Sequence, residues 1–221
     1  MKIDAIIPAA GVGKRFNSKI SKQYYEINGR PILYHTLNHL SKSFNFQCFI
    51  IGCNIDTDSK FIENIMESLD IDNYKLVQGG KERFNTVYNC INESDAEYVL
   101  IHDAVRPLVT KDVVNRLIEK LNFYDAVICG LKVRDTVKIV KNNVVEKTVD
   151  REKYFLSHTP QIFKREKLIK GFEYVFEKGL TVTDEAQVME EFGEGVAVVE
   201  SDVRNLKVTY FNDIDFISKF L

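Results

Sequence analysis

The segment IPAAGVGKRFNSKISKQY, from Ile7 to Tyr24, carries Lys14, Arg15, Lys19 and Lys22, two glycines and no acid. Ala9, Ala10, Gly11 and Gly13 are small enough for backbone N–H groups to approach an anion closely, and the basic side chains add charge around it. That combination suits a polyphosphate. Two familiar phosphate loops fail on spelling. A Walker A loop needs a glycine five residues before its Gly-Lys and Ser or Thr after it, where this chain has Pro8 and Arg15; the third glycine of a dinucleotide fingerprint would fall on Phe16. Taken alone, the segment also reads as a solvated surface turn.

Other chemistry-bearing residues lie farther along. HDAVRP follows an apolar run and puts Asp103 and Arg106 at the end of a strand, while His102 reads as a core or supporting histidine. Gly79 and Gly80 mark a turn. His158, beside Thr159-Pro160-Gln161, is expected in a loop, and Lys207 on a short strand with Leu206 and Val208 pointing the other way. The sequence has no G-x-S-x-G elbow and no convincing Cys-His pair, which agrees with chemistry that forms no covalent enzyme intermediate.

The elements that must position these groups alternate. Strand-like runs at Asp4 to Pro8, Cys48 to Cys53, Lys75 to Gln78, Tyr98 to His102 and Ala126 to Gly130 are separated by helix-period segments at Pro31 to Ser41, Asp58 to Leu69, Arg83 to Ile91 and Thr110 to Leu121. Near-continuous apolar strands such as CFIIGC and YVLIHD predict a mainly parallel α/β sheet covered on both faces by helices, with ligands beyond the carboxyl ends of the strands. After Gly130 the period becomes two on either side of Asn142-Asn143, a pair that tolerates a tight left-handed turn. Residues 133–149 are therefore expected to form a two-stranded arm that needs a partner surface, its own domain or another subunit.

Composition bounds the rest. The 221 residues suit one domain spanning 1–221, with the arm as an excursion. Hydrophobic residues at 45% beside charged residues at 28% describe an ordinary globular chain, and a net charge of −2 lacks the basic surplus expected of a nucleic-acid binder. Cys48, Cys53, Cys90 and Cys129 are scattered without a C-x-x-C pair and are expected to be buried and reduced. With no secretory pattern and no membrane-length apolar stretch, a cytoplasmic location and no membrane partner are expected.

An ordered series of fragments, PAAGVGKRF, SKQY, GGKERFNTV, HDAVRP, VRDTVK, TVDR, HTPQIF, TDEAQ and NLKVT, runs from residue 7 to residue 209. Together they resemble the methylerythritol phosphate cytidylyltransferase family of the non-mevalonate isoprenoid pathway. The resemblance implies a Rossmann-like three-layer α/β/α nucleotidyltransferase fold with a protruding β-hairpin arm. It also implies transfer of the cytidylyl group of CTP to a polyol phosphate with release of pyrophosphate. Ribitol phosphate cytidylyltransferases have similar motifs and are the alternative within the enzyme class; a non-catalytic nucleotide-binding protein on the same fold is the alternative outside it.

Carried over by position, the resemblance makes Arg15, Lys22, Lys207 and Asp103 the catalytic set, with Lys22 at the α-phosphate. Ala9, Ala10, Gly11, Gly13, Lys14, Gly79, Gly80, Arg83 and Thr86 would hold the nucleotide; Arg106, Thr136, Arg151, Thr159 and Thr183 would serve the acceptor. Thr136 and Arg151 would reach the site of a neighbouring subunit in a homodimer joined by the arm. Mg²⁺ is implied with CTP, Asp103 being the one tentative protein ligand. Ser21 stands where the family usually places proline, which implies a less rigid loop. Lys22→Ala and Arg15→Ala are each expected to lower pyrophosphate release by about a hundredfold or more, because removing one transition-state donor costs about 3 kcal/mol. Thermal stability should barely change, and near-normal turnover in either variant would reduce the loop to a solvated turn.

Overall fold

The computed structural model describes residues 1–11, 13, 16 and 20–221; Lys14, Arg15 and Lys19 lie outside the described residues. In chain order the elements are β1 (Ile3–Pro8), a 3₁₀ turn (Lys22–Tyr24), β2 (Glu26–Ile27), β3 (Arg30–Pro31), α1 (Ile32–Ser41), β4 (Phe49–Cys53), α2 (Ile55–Ser68), β5 (Tyr74–Gln78), α3 (Arg83–Asn92), β6 (Tyr98–Ile101), α4 (Lys111–Lys120), β7 (Ala126–Lys132), β8 (Lys138–Lys141), β9 (Val144–Thr148), a second 3₁₀ turn (Arg151–Lys153), β10 (Phe155–Lys164), α5 (Arg165–Glu177), α6 (Glu185–Glu191), β11 (Ala197–Glu200) and α7 (Asp213–Ile217).

The main sheet runs β11-β7-β10-β6-β1-β4-β5. Its pairs are parallel except where β10 lies antiparallel to β6 and β7. Strand periodicity divides the core in two. Ala5 and Ile7 of β1, Ile51 of β4, Leu100 of β6 and Val127 of β7 face α1, α2 and α4, whose Leu37, Ile62 and Val113 complete that layer. Ile6, Ile50, Ile101 and Ile128 point the other way, onto Val87 of α3, Phe172 of α5 and Val188 of α6. Both faces are thus covered, as continuous apolar strands require.

The starts of α2, α4 and α6 are fixed by side chains that satisfy a first-turn amide. The Asn54 side chain accepts from Asp56 N–H, Thr110 from Val113 N–H and Asp184 from Gln187 N–H. The Asn54 cap explains why α2 begins at Ile55 and not at the expected Asp58. A third cluster, with Phe16, Ile27, Ile32, Val105, Val208 and Ile217, fastens the chain terminus beside the opening segment.

The arm forms as its period predicts. Lys138 pairs with Thr148 and Lys141 with Val144 in a separate two-stranded sheet, and Asn142 and Asn143 take φ of 50° and 62° at its tip. Ile139, Val140, Val144 and Val145 on this hairpin are exposed. Two expectations need correction. His158 lies within β10, where it pairs with Cys129. Residues 205–209 around Lys207 form no strand; the segment is anchored by a hydrogen bond from Val208 N–H to the Val105 carbonyl and by burial of the Val208 side chain. Alternation over so few residues marks which side chains are covered without requiring a ladder.

Candidate functional site

A cleft of about 500 Å³ opens beyond the carboxyl ends of β1 and β6, walled by Pro8 to Gly11, Gly13, Lys22, the Gly80 to Arg83 turn, Asp103 and Lys207. Its first wall is the loop after β1. Gly13 has φ +63, and a Cβ there would sit 3.1 Å from the Lys22 Cβ, so glycine serves both the left-handed backbone and the close approach of Lys22. Gln23, which the sequence reading passed over, is buried. Its amide donates to the Ala9 carbonyl at 2.6 Å and the Gly11 carbonyl at 3.1 Å, fixing the turn that carries Lys22 to the loop. Its place beside Lys22 in SKQY was the available signal.

The second wall is the turn into α3. Gly79 N–H donates to the Cys53 carbonyl, and a side chain at Gly79 would collide with Ala10, so these two small residues pack directly against one another. The Thr86 hydroxyl accepts from Gly80 N–H at 3.0 Å and lies 3.3 Å from the Glu82 carbonyl, which holds the turn in shape. Arg83 begins α3 and reaches back over the cleft.

The third wall is Asp103, whose side chain is 7% exposed. Arg83 Nε lies 3.0 Å from Oδ1, Lys207 Nζ 2.8 Å from Oδ2 and Arg106 Nε 3.4 Å from Oδ2. Burial alone would raise the Asp103 carboxyl; Arg83, Lys207 and Arg106 override it and hold the group well below the ordinary carboxylate range. Arg83 Nη1 also donates to Glu185 Oε1 at 2.7 Å. Glu185 is fully buried, and burial pushes its carboxyl up despite Arg83. Both Asp103 oxygens are therefore engaged by cations, and among the described residues no group of three or more His, Cys, Asp and Glu side chains could hold a metal ion.

A chain of hydrogen bonds supports Asp103 from behind. Asp103 N–H donates to Thr159 Oγ1 at 3.0 Å, and that hydroxyl lies 3.2 Å from His102 Nδ1. His102 Nε2 lies 3.0 Å from the Arg106 carbonyl, an arrangement that assigns the ring proton to Nε2. Asn205, also passed over in the sequence, donates to the Thr159 carbonyl, and its own carbonyl accepts from Arg106. Thr159 and Arg106 are thus buried supports of Asp103. Thr183 is exposed and bonded to Gln187, and Arg151 donates to the Arg134 carbonyl near the arm. Thr136, Arg151 and Thr183 are not among the described residues that line the cleft.

Among the described residues Lys22, Lys81, Arg83 and Lys207 outnumber Glu82 and Asp103 on the lining, so the cleft presents net positive charge, which suits a polyphosphate. The histidines behind it, His102 fully buried and His158 half-buried, stay neutral. Burial, offset only partly by the Arg106 carbonyl, lowers His102 to about 4; burial and Arg106 lower His158 to about 4. In the unfolded chain both titrate near about 6.5. Between those values the unfolded state binds protons that the native state refuses, so this contribution to stability is complete above about 6.5 and is lost as pH falls toward 4. Imidazole resonances of both residues should show no titration from pH 7.5 to 5.5 in the folded protein; a midpoint near the unfolded value for either would contradict this packing.

Three comparisons bear on this geometry. Residues 3–221 match the family described as IspD, 2-C-methyl-D-erythritol 4-phosphate cytidylyltransferase. Curated relatives of that name include one from Clostridium botulinum (strain Loch Maree / Type A3), 37% identical over 217 residues and covering 96% of this chain and 94% of its own, and one from Caldanaerobacter subterraneus, 33% identical over 225 residues and covering 100% and 99%. The crystal structure of 4-diphosphocytidyl-2C-methyl-D-erythritol synthase from Anaerococcus prevotii superposes with a TM-score of 0.87 at 32% identity, covering 99% of this chain and 95% of that one. A family match over nearly every residue, with relatives at 33–37% identity along the whole chain, shows that this chain belongs to the 2-C-methyl-D-erythritol 4-phosphate cytidylyltransferase family.

Proposed function

We propose that this chain transfers the cytidylyl group of CTP to 2-C-methyl-D-erythritol 4-phosphate, giving the CDP-alcohol and pyrophosphate. The observation that carries the reading is the cation-lined cleft at the strand ends in a chain matched to this family over residues 3–221. A phosphate oxygen of the acceptor attacks the α-phosphorus; the new P–O bond forms as the bond to the bridging oxygen breaks, and its electron pair leaves with pyrophosphate. Both reactants are anions, so the work of the site is to neutralise charge and to align nucleophile and leaving group.

In this reading Lys22 and Arg15 face the triphosphate, Arg15 from outside the described residues. The main chain from Ala9 to Gly13, with Lys14 also outside them, cradles the phosphates. The turn of Gly79 and Gly80, held in shape by the Thr86 hydroxyl, reads cytosine. Lys207, held by Asp103 and 35% exposed, faces the reacting phosphates. With both Asp103 oxygens committed to cations, Mg²⁺ would arrive with CTP and not on a protein carboxylate, and would supply charge neutralisation at the phosphates.

The arm supports a homodimer. A two-stranded hairpin with Ile139, Val140, Val144 and Val145 exposed is marginal alone in water and gains stability by pairing with a second copy. Thr136 and Arg151 then serve the partner's cleft, with Arg151 binding the acceptor phosphate through its planar fork of donors. Thr183 completes the acceptor side. No helix among the described residues is long and apolar enough to cross a membrane, and four buried free cysteines fit the reducing cytoplasm as the place of work.

Arg151→Ala should raise the acceptor's KM while leaving CTP binding nearly intact. At an acceptor concentration too low for either variant to turn over alone, mixing Lys22→Ala protein with Arg151→Ala protein should restore activity, because each mixed dimer has one site with both defects and one with neither. Random exchange gives roughly a quarter of normal turnover. An active monomer on size exclusion, or no recovery despite proven exchange, would remove the shared site. Methylerythritol phosphate should outperform ribitol phosphate in pyrophosphate release; the reverse would reassign the acceptor.

A further inference from the structure

Arg83 is gripped from two sides. Its Nε meets Asp103 Oδ1 at 3.0 Å, and its Nη1 donates to Glu185 Oε1 at 2.7 Å. Glu185 is the first residue of α6 and fully buried, and its Oε2 finds no hydrogen-bond partner among the described residues. A carboxylate so placed is costly, and an apolar side chain would fill the same volume without that cost. Packing therefore does not account for Glu185; its bond to Arg83 does.

Its neighbours extend the link. The Asp184 carboxylate accepts from Ser157 Oγ at 2.9 Å and Gln161 Nε2 at 3.0 Å on β10, and from Gln187 N–H at 3.1 Å within α6. The adjacent pair Asp184-Glu185 thus fastens β10, α6 and the start of α3 to one another. Arg83 stands three positions before Thr86, whose hydroxyl shapes the Gly80 turn. A displaced Arg83 would disturb both that turn and the cation set on Asp103.

We propose that Glu185 is a positioning residue for cytidylyl transfer: by holding Arg83 Nη1 it keeps the guanidinium on Asp103 and joins the 183–187 segment to the nucleotide side of the cleft. This rests on the transfer reading of the cleft given above. Only a guanidinium has donors spread widely enough to satisfy both carboxylates; an ammonium must give one up.

The test compares Glu185→Gln, which keeps an acceptor and the volume, with Glu185→Leu, which keeps only the volume. The readouts are kcat, KM for each substrate, calorimetric CTP binding without acceptor, and Tm. Glu185→Gln should stay within about threefold of the parent, while Glu185→Leu should lose about tenfold or more in kcat/KM for CTP and bind CTP more weakly. In an Arg83→Gln background, Glu185→Leu should add less than about twofold, since both changes break one link. Should Glu185→Leu not fold, Arg83→Lys reads the same bridge and should lose about tenfold at nearly unchanged Tm. Parental kinetics in Glu185→Leu or Arg83→Lys, equal losses in the Gln and Leu variants that track Tm, or a full additional loss in the Arg83→Gln background would each overturn the proposal. A parent protein that releases no pyrophosphate from CTP and acceptor would instead defeat the transfer reading, and the calorimetric series would still decide the role of Glu185.

Discussion

The Asp103 carboxylate at the end of β6 holds three cations that the chain delivers from separate places: Arg83 from the start of α3, Arg106 from the loop that follows, and Lys207 from near the chain terminus. Even with Glu185 on the far side of Arg83, two carboxyl groups face three cations and leave local positive charge uncompensated, so the cluster gains stability when an anion enters the cleft. The same ion pairs lower the carboxyl far enough that Asp103 stays charged throughout the working range. The cleft's charge, the placement of Lys207 and the orientation of Arg83 all depend on this side chain.

Neighbouring features keep Asp103 in place. β6 is the central strand of the sheet, covered on both faces, and its backbone direction is fixed by parallel pairing with β1 on one side and antiparallel pairing with β10 on the other. Thr159 of β10 accepts from the Asp103 amide and meets the neutral His102, so the antiparallel strand contributes support through its side chains as well as its ladder. Around the loop after β1, small residues allow close approach: Gly13 admits Lys22, and Gly79 admits Ala10. The fold thus supplies the walls, and a few charged side chains at the strand ends line the cleft between them.

Much of this was legible in the sequence because local periodicity and burial agree. Five strands and four helices between residues 3 and 132 follow from apolar runs and amphipathic segments, and the arm follows from alternation around Asn142-Asn143. Ala9, Gly80, Arg83, Asp103 and Lys207, all marked by the sequence motifs, meet in one cleft. What escaped was set by tertiary contact. β10 inserts antiparallel between β6 and β7, and no local pattern states that pairing. Lys207 sits on a segment whose alternation comes from burial of Val208 and not from a ladder. Gln23, Asn205 and Glu185 are polar residues with no distinguishing spacing; their roles appear only when the carbonyls and guanidinium groups they bind are brought beside them.

The most direct measurement is turnover of Asp103→Asn with saturating MgCTP and methylerythritol phosphate, with folding checked by circular dichroism. Asparagine keeps the shape and removes the charge that gathers Arg83, Arg106 and Lys207. The account predicts a folded protein whose pyrophosphate release falls about a hundredfold or more, the range expected when positioned charge at a transition state is lost. Turnover within a few-fold of the parent would show that these cations find their places without Asp103, and would contradict the account.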